Sequence, residues 1–313
     1  MYNQEIKERF LREQYDMSSG GRSYIAVFQR IEPMEIHFGK DIAEMDFDEA
    51  NRTLLSDKVY SLTAIDAQKS VLKQYVKWCR DNFIFENIPG GVLKVKITID
   101  DVTHAVSQKL FRDESDLLYS IKKVRSFDEG NPEIAVVILA WLGLELEQIL
   151  ELQDSQVDLE NGKIFATDGS ILVSEISQQL RDILQMYARC ESAERMNGTT
   201  KYEVIKDRSY PNFIKCMRSR TSTQMGRRLE LKAVREMFNR ISRDYVELGY
   251  ESRFAYTNVL SSGRLNRLLQ MELSGVDILD SKNAAVVEAV FNGNKKYRSI
   301  KWSYESYKKA FNL

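Results

Sequence analysis

The sequence has 313 residues, 43% of them hydrophobic and 29% charged, with a formal net charge of −1 at pH 7, a composition that suits a water-exposed globular protein of about two domains. No apolar run approaches the roughly 18 residues of a membrane span, and the polar start Met1-Tyr2-Asn3-Gln4-Glu5 lacks a secretory pattern, so a cytoplasmic protein without a membrane partner is expected. Three widely spaced cysteines (Cys79, Cys190, Cys216) and two histidines (His37, His104) argue against a disulfide frame or a zinc cluster, and no metal or cofactor is expected.

Charge is unevenly spread. Residues 1–110 carry 15 basic and 17 acidic side chains, residues 111–200 carry 8 and 17, and residues 201–313 carry 22 and 12. The last third therefore stands at +10 and the middle at −9. A basic region on a near-neutral chain suits a polyanion, because phosphate neutralisation supplies most non-specific DNA affinity. An uneven but merely solvated surface is the plainer alternative.

In chain order, residues 4–15 read as a short amphipathic helix and Ser18-Ser19-Gly20-Gly21 as a break. Tyr24–Phe28 begins an ordered element of open type that ends before Pro33. The acidic run Glu44–Glu49 reads as a helix start, since no glycine and further acceptors follow at calcium-loop spacing. Between Ala64 and Phe83, Leu72, Tyr75, Val76, Cys79 and Phe83 recur at helical spacing and predict a core face. Lys69, Lys73, Lys77 and Arg80 line another face, which could follow a DNA backbone or simply meet solvent. After the break at Pro89-Gly90-Gly91, alternation of Leu93, Val95 and Ile97 with Lys94 and Lys96 predicts a short extended segment, and Ile99 opens a helix.

A domain boundary is placed near Lys109–Asp113, followed by helices over Glu114–Arg125 and Pro132–Leu142, the second almost wholly apolar. Gly143 then tightens the chain, an amphipathic helix restarts, and Asn161-Gly162 predicts a hairpin. Strands over 163–166 and 171–173 join 156–158 in a small antiparallel sheet, and Ser174 caps a helix reaching Arg189. A polar segment holds Asn197-Gly198-Thr199-Thr200. From Leu229, Val234, Phe238, Ile241, Tyr245 and Leu248 define one helical face. Basic clusters at Arg218, Arg220, Arg227 and Arg228, and the run Lys295, Lys296, Arg298 and Lys301 interleaved with Tyr297 and Trp302, are candidate nucleic-acid contacts or solvated surface.

Several of these blocks together resemble the tyrosine recombinases (phage integrases). Trp141–Lys163 looks like the family's first catalytic block, with Glu145 where the first catalytic arginine would stand. Ser261-Ser262-Gly263-Arg264-Leu265-Asn266-Arg267, followed by Gly275-Val276-Asp277, resembles the second block. Aligned through Gly275, Arg264 coincides with the second catalytic arginine, while Ser261 and Leu265 replace its two histidines. Phe291-Asn292-Gly293-Asn294 resembles the Leu-Gly-His block, with Asn294 for histidine, and Tyr304, with Tyr307 beside it, falls near the nucleophilic tyrosine. The turn that carries a lysine in the family holds Asp168 and Gly169, leaving Lys163 as a poor substitute. Ser61-Leu62-Thr63 and Trp78–Asn82 resemble the core-binding domain.

The resemblance implies a mainly α fold with a small antiparallel β-sheet: a helical core-binding domain over 1–110 and a catalytic-type domain over 111–313, the two clamping duplex DNA. With so many phosphate-stabilising and proton-donating groups replaced, it implies binding without cleavage. The chain looks similar to the recombinase-like master repressors of lysogeny in SPbeta-related Bacillus phages, which implies operator DNA as partner, with self-association or a regulatory protein as further candidates. Arg264, Arg267, Lys295, Lys296, Arg298, Lys301, Arg227, Arg228, Lys69, Lys73 and Lys77 would then face DNA. The rival reading is a divergent active recombinase cleaving DNA through Tyr304 or Tyr307.

Overall fold

The computed structural model describes residues 1–15, 21–56, 62–127, 130–197, 200–208, 210–219 and 229–313. Ser18, Ser61, Arg220, Arg227 and Arg228 lie outside the described residues. The architecture is mainly α, with small antiparallel sheets. Two compact units divide the chain: Met1–Val106 with Glu305–Leu313, and Ser107–Tyr304. The division falls at Val106/Ser107, and the last nine residues group with the first unit, where a single unit over 111–313 is expected from sequence.

The first unit contains α1 (Gln4–Gln14), α2 (Gly21–Phe38), α3 (Phe47–Ser56), α4 (Leu62–Asp81), the single turn α5 (Gly91–Lys94) and most of α6 (Ile99–Lys109). Phe10, Phe28 and Tyr75, all at 0% exposure, meet edge to face with centroids 5.1–6.0 Å apart, the geometry ring quadrupoles favour. Asp46 and Glu49 start α3 reciprocally: each backbone N–H donates to the other's carboxylate, at 3.0 and 2.9 Å.

Three expectations fail in this unit. The helix begun near Tyr24 runs through Pro33 to Phe38, because Phe28, Ile31 and Glu35 are buried on both sides of the proline and offset its lost hydrogen bond. Phe83 leaves the core face, since α4 stops at Asp81 and Phe83 takes a left-handed φ of 53° at 89% exposure. Residues 93–97 form no strand. Leu93 sits in α5, although Val95 and Ile97 are buried and Lys96 is exposed, as alternation requires.

The second unit is built on α8 (Pro132–Trp141), in which every residue is buried; α7 (Glu114–Lys122) precedes it. The Asn131 carboxamide oxygen accepts from Glu133 N–H and caps α8, with Pro132 at the first helical position. After α9 (Leu146–Glu151) come β1 (Val157–Asp158), β2 (Lys163–Phe165) and β3 (Ile171–Val173), antiparallel in that order, with Gly162 at φ 65° in the first turn. Next is α10 (Gln178–Arg189), capped by Ser177 rather than Ser174.

A second antiparallel sheet follows, β4 (Ser192–Asn197), β5 (Thr200–Lys206) and β6 (Met217–Ser219), which the sequence reading misses. Its strands are too polar to alternate, and the Asn197-Gly198 pair is the signal that could have located the hairpin. The unit closes with α11 (Leu231–Glu247), α12 (Tyr256–Leu273), α13 (Ala284–Val290) and the start of α14 (Tyr297–Phe311). On α11, Val234, Phe238, Ile241 and Tyr245 are buried; Leu248 is 55% exposed, because the helix ends one residue earlier.

Candidate functional site

Two of the positions that resemble recombinase catalytic blocks, Glu145 and Arg264, meet where the end of α8 touches α12. Gly263 makes the approach possible: a Cβ there would collide with the Trp141 backbone, so only a glycine lets the two backbones lie in contact. The next residue, Arg264, is thereby brought beside the turn after α8, where Gly143 has φ 97°. Arg264 Nη2 donates to Gly143 O at 3.1 Å, and Arg267, one turn on, donates through Nη2 to Leu142 O at 2.6 Å. Both arginines satisfy carbonyls of the turn that follows α8.

Glu145 stands at the N-cap of α9, its backbone N–H donating to Gln148 Oε1 at 2.8 Å. Its carboxylate is held from three sides. Arg264 Nη2 donates to Oε1 at 2.7 Å, Tyr256 Oη donates to Oε2 at 2.7 Å, and Asn294 Nδ2 lies 3.4 Å from Oε1. Burial pushes the Glu145 carboxyl up, but the hydrogen bonds from Arg264 and Tyr256 and the guanidinium charge outweigh it and leave it below the ordinary range. Burial, helped by the Glu145 contact, raises the Tyr256 phenol, and burial beside Arg264 lowers Arg267. Arg264 is 5% exposed, and its Nε is buried without a partner among the described residues.

Arg264 is expected from sequence to face a phosphate; in the structure its Nη2 meets the Glu145 carboxylate and the Gly143 carbonyl. An arginine reads a phosphate with two parallel donors; here the donor that would lead is engaged by Glu145. Tyr256 is the partner missed from sequence. Eight residues before Arg264 on one helix, it lies on the same face, and that spacing was the available signal.

The other expected positions scatter. Leu265 is buried and Ser261 half-buried on α12, and Asn294 is exposed apart from its reach to Glu145. Tyr304 is fully buried, its hydroxyl donating to Glu272 Oε2 at 2.7 Å; Tyr307 is also fully buried and belongs to the first unit. Around the start of α14, Lys296 and Arg298 are exposed, and the Arg298 guanidinium stacks 4.8 Å from the half-exposed Trp302 ring. Lys295 lies over Phe291 at 5.1 Å, and Lys301 is half-buried with Nζ 3.4 Å from Leu279 O. On α4, Lys77 is exposed, Lys73 half-buried, and Lys69 pairs with Asp66 at 2.7 Å, which shortens the expected cationic stripe. Among the described residues, no group of three or more His, Cys, Asp or Glu is placed to hold a metal ion, and no helix is long and apolar enough to cross a membrane.

Residues 1–81 match the family model described as MrpR, N-terminal core-binding domain. No curated protein sequence matches the chain. Among solved structures it is similar to XerA recombinase, with 13% identity over 99% of this chain and 97% of that one and a TM-score of 0.41. It is also similar to the Tn1549 transposon integrase in complex with circular intermediate DNA, with 14% identity over 95% and 94% of the two chains and a TM-score of 0.37. The integrase from mycobacterium phage Brujita shows 11% identity over 97% and 91%, with a TM-score of 0.35.

Proposed function

We propose that this chain is a sequence-specific DNA-binding transcriptional repressor that maintains prophage lysogeny, built on a tyrosine-recombinase fold and lacking recombinase chemistry. The observation that carries the reading is the Glu145–Arg264 ion pair at 2.7 Å. Strand cleavage by a tyrosine needs cations converging on the scissile phosphate as negative charge builds on its oxygens. Here a carboxylate takes the position of one such cation by resemblance and cancels another. A unit pair at about 4 Å and an effective dielectric of about 20 is worth roughly 4 kcal/mol, so a phosphate arriving at Arg264 would compete with a bonded anion and be repelled by it. The burial of Tyr304 and its bond to Glu272 support the same reading, because a nucleophile must reach its phosphate.

The core-binding match over residues 1–81 and the balance of +10 over 201–313 support duplex DNA as the partner. On this reading the protein acts in the host cytoplasm, at the nucleoid. Two measurements on the full chain test it. Fluorescence anisotropy with fragments selected from the cognate genome should show binding that weakens steeply with salt. Incubation with nicked duplexes should leave no covalent protein–DNA product on denaturing gels. A product abolished by Tyr304→Phe or Tyr307→Phe would establish the recombinase alternative, and absence of salt-sensitive binding would remove DNA as the partner.

A further inference from the structure

A second cluster of cations lies away from Glu145, in the same unit. The C-terminal end of α10, the end of β5, Arg208 and residues 210–215 line a cavity of about 400 Å³, within the range of small-molecule sites. Tyr187, Lys206, Arg208, Tyr210 and Lys215 line it, with Asp154 as the carboxylate among its lining residues. Asp154 is already engaged, since Lys215 Nζ lies 2.6 Å from its Oδ2 and 3.1 Å from Tyr210 O. The charge left facing the cavity is therefore that of Lys206 and Arg208.

Lys206 is 4% exposed. Its ammonium donates to Tyr187 O and sits 3.6 Å from the centroid of the Tyr187 ring. Among the described residues no carboxylate pairs with it. Burial pushes the ammonium down to about 8; Cys190 opposes the shift, while Arg208 and Lys215 add to it. Arg208 is exposed, with Nη2 3.5 Å from Ala188 O, so most of its donor fork is directed elsewhere than to a carboxylate. A buried ammonium normally carries a counter-charge, because desolvating it alone costs several kcal/mol. Here the cavity beside Lys206 is walled by a second cation, Arg208, and by Tyr187 and Tyr210.

We propose that this cavity is a binding site for a small phosphate monoester of about nucleotide size, its dianionic head between Lys206 and Arg208 and its organic part along Tyr210. Two cations with donors to spare match a dianion rather than a single carboxylate. The same chemistry could come from a DNA backbone phosphate, but a concave site of about 400 Å³ with a cation buried in its wall suits a free molecule, and the two sources separate experimentally. The site does not depend on the repressor reading.

Isothermal titration of the full chain with 5′-AMP, inorganic phosphate and adenosine tests the assignment. AMP and phosphate should bind with heat and adenosine should not. Lys206→Met and the exposed Arg208→Ala should each weaken AMP by about tenfold. AMP should also weaken by about tenfold between about pH 7.5 and about pH 9.5. Its phosphate stays dianionic over that range, so the loss reports the Lys206 ammonium, whose folded value the ligand raises. Excess duplex DNA should leave AMP binding unchanged. Failure of AMP and phosphate to bind at about 10 mM, adenosine binding as well as AMP, an unaltered Arg208→Ala, or displacement of AMP by duplex would each overturn the proposal.

Discussion

A carboxylate fixed by a guanidinium, a phenol and a carboxamide can only be exchanged at the expense of those donors, and Glu145 is such a group. Glu145→Gln removes the charge that Arg264 was buried against. Arg264 keeps Gly143 O, and Glu145 is partly exposed (28%), so the loss should fall below the 3–5 kcal/mol of a fully buried pair, at about 2 kcal/mol. Urea midpoints for Glu145→Gln and wild type would measure it, and equal midpoints would show that the pair adds nothing. The pH dependence has a definite sign. A carboxyl held below its unfolded value contributes stability above about pH 4.5 that is lost on further acidification, and Glu145→Gln should flatten the acid limb of the unfolding curve. Tyr304→Phe removes one hydrogen bond to Glu272 and should cost about 1 kcal/mol. What the sequence conveyed at this scale was type and not partner. That a glutamate stands at position 145 of the block is legible in the sequence; that it reaches Arg264, 119 positions away, depends on a backbone approach that only the folded chain displays.

Elements follow periodicity where a helix has one wet face, and depart from it where something else supplies the burial. Both α4 and α11 keep their predicted core faces except at the terminal residue, Phe83 and Leu248, where the helix ends first and the side chain swings out. The course of α2 through Pro33 has a different cause. In the first unit Lys7 Nζ donates to both oxygens of Glu35, at 2.6 and 2.5 Å, and lies 3.7 Å from Asp41, all three side chains being wholly buried. Glu35 sits just beyond the proline, so this cluster depends on α2 continuing. One ammonium faces two carboxylates, and Asp41 also accepts from Asn3, Tyr75 and Ala43 N–H. Burial therefore pushes Glu35 up to about 7, against the opposing pull of Lys7. For a group raised in the folded state, the stabilising share is full below its unfolded value of about 4.5 and lost as pH rises through about 7. Denaturant midpoints should accordingly fall between about pH 5 and pH 8, and Glu35→Gln should remove most of that slope. A slope unchanged in Glu35→Gln would assign it elsewhere. Gly263 acts at the same scale: Gly263→Ala forces α12 off the Trp141 backbone and should cost about 1–3 kcal/mol, read by thermal melting.

For the molecule as a whole, the charge gradient along the sequence supports the proposed polyanion partner, since a balance near zero hides a final third at +10. Helix content and the first small sheet were legible because their apolar patterns are strong. The second sheet was hidden by its polarity, and the return of Glu305–Leu313 to the first unit leaves no mark in composition or spacing. Within that third, burial separates arginines engaged inside the protein from cations that face solvent. Arg264 and Arg267 satisfy internal groups, whereas Lys296 and Arg298 are exposed at the start of α14. If DNA is the partner, each phosphate contact releases counterions, and the logarithm of affinity falls with the logarithm of salt by about 0.9 per contact. Lys296→Ala and Arg298→Ala should each reduce that slope by about one and weaken all duplexes alike, with melting temperatures unchanged because neither side chain is buried. Arg264→Ala should behave differently: it leaves Glu145 without its cation, held by Tyr256 and Asn294 alone, so affinity should fall together with stability and the slope should change little. Anisotropy titrations of the three variants at several salt concentrations would resolve this. An Arg264→Ala protein as stable as wild type but with a slope lowered by about one would mean that Arg264 leaves Glu145 to take a phosphate when DNA arrives.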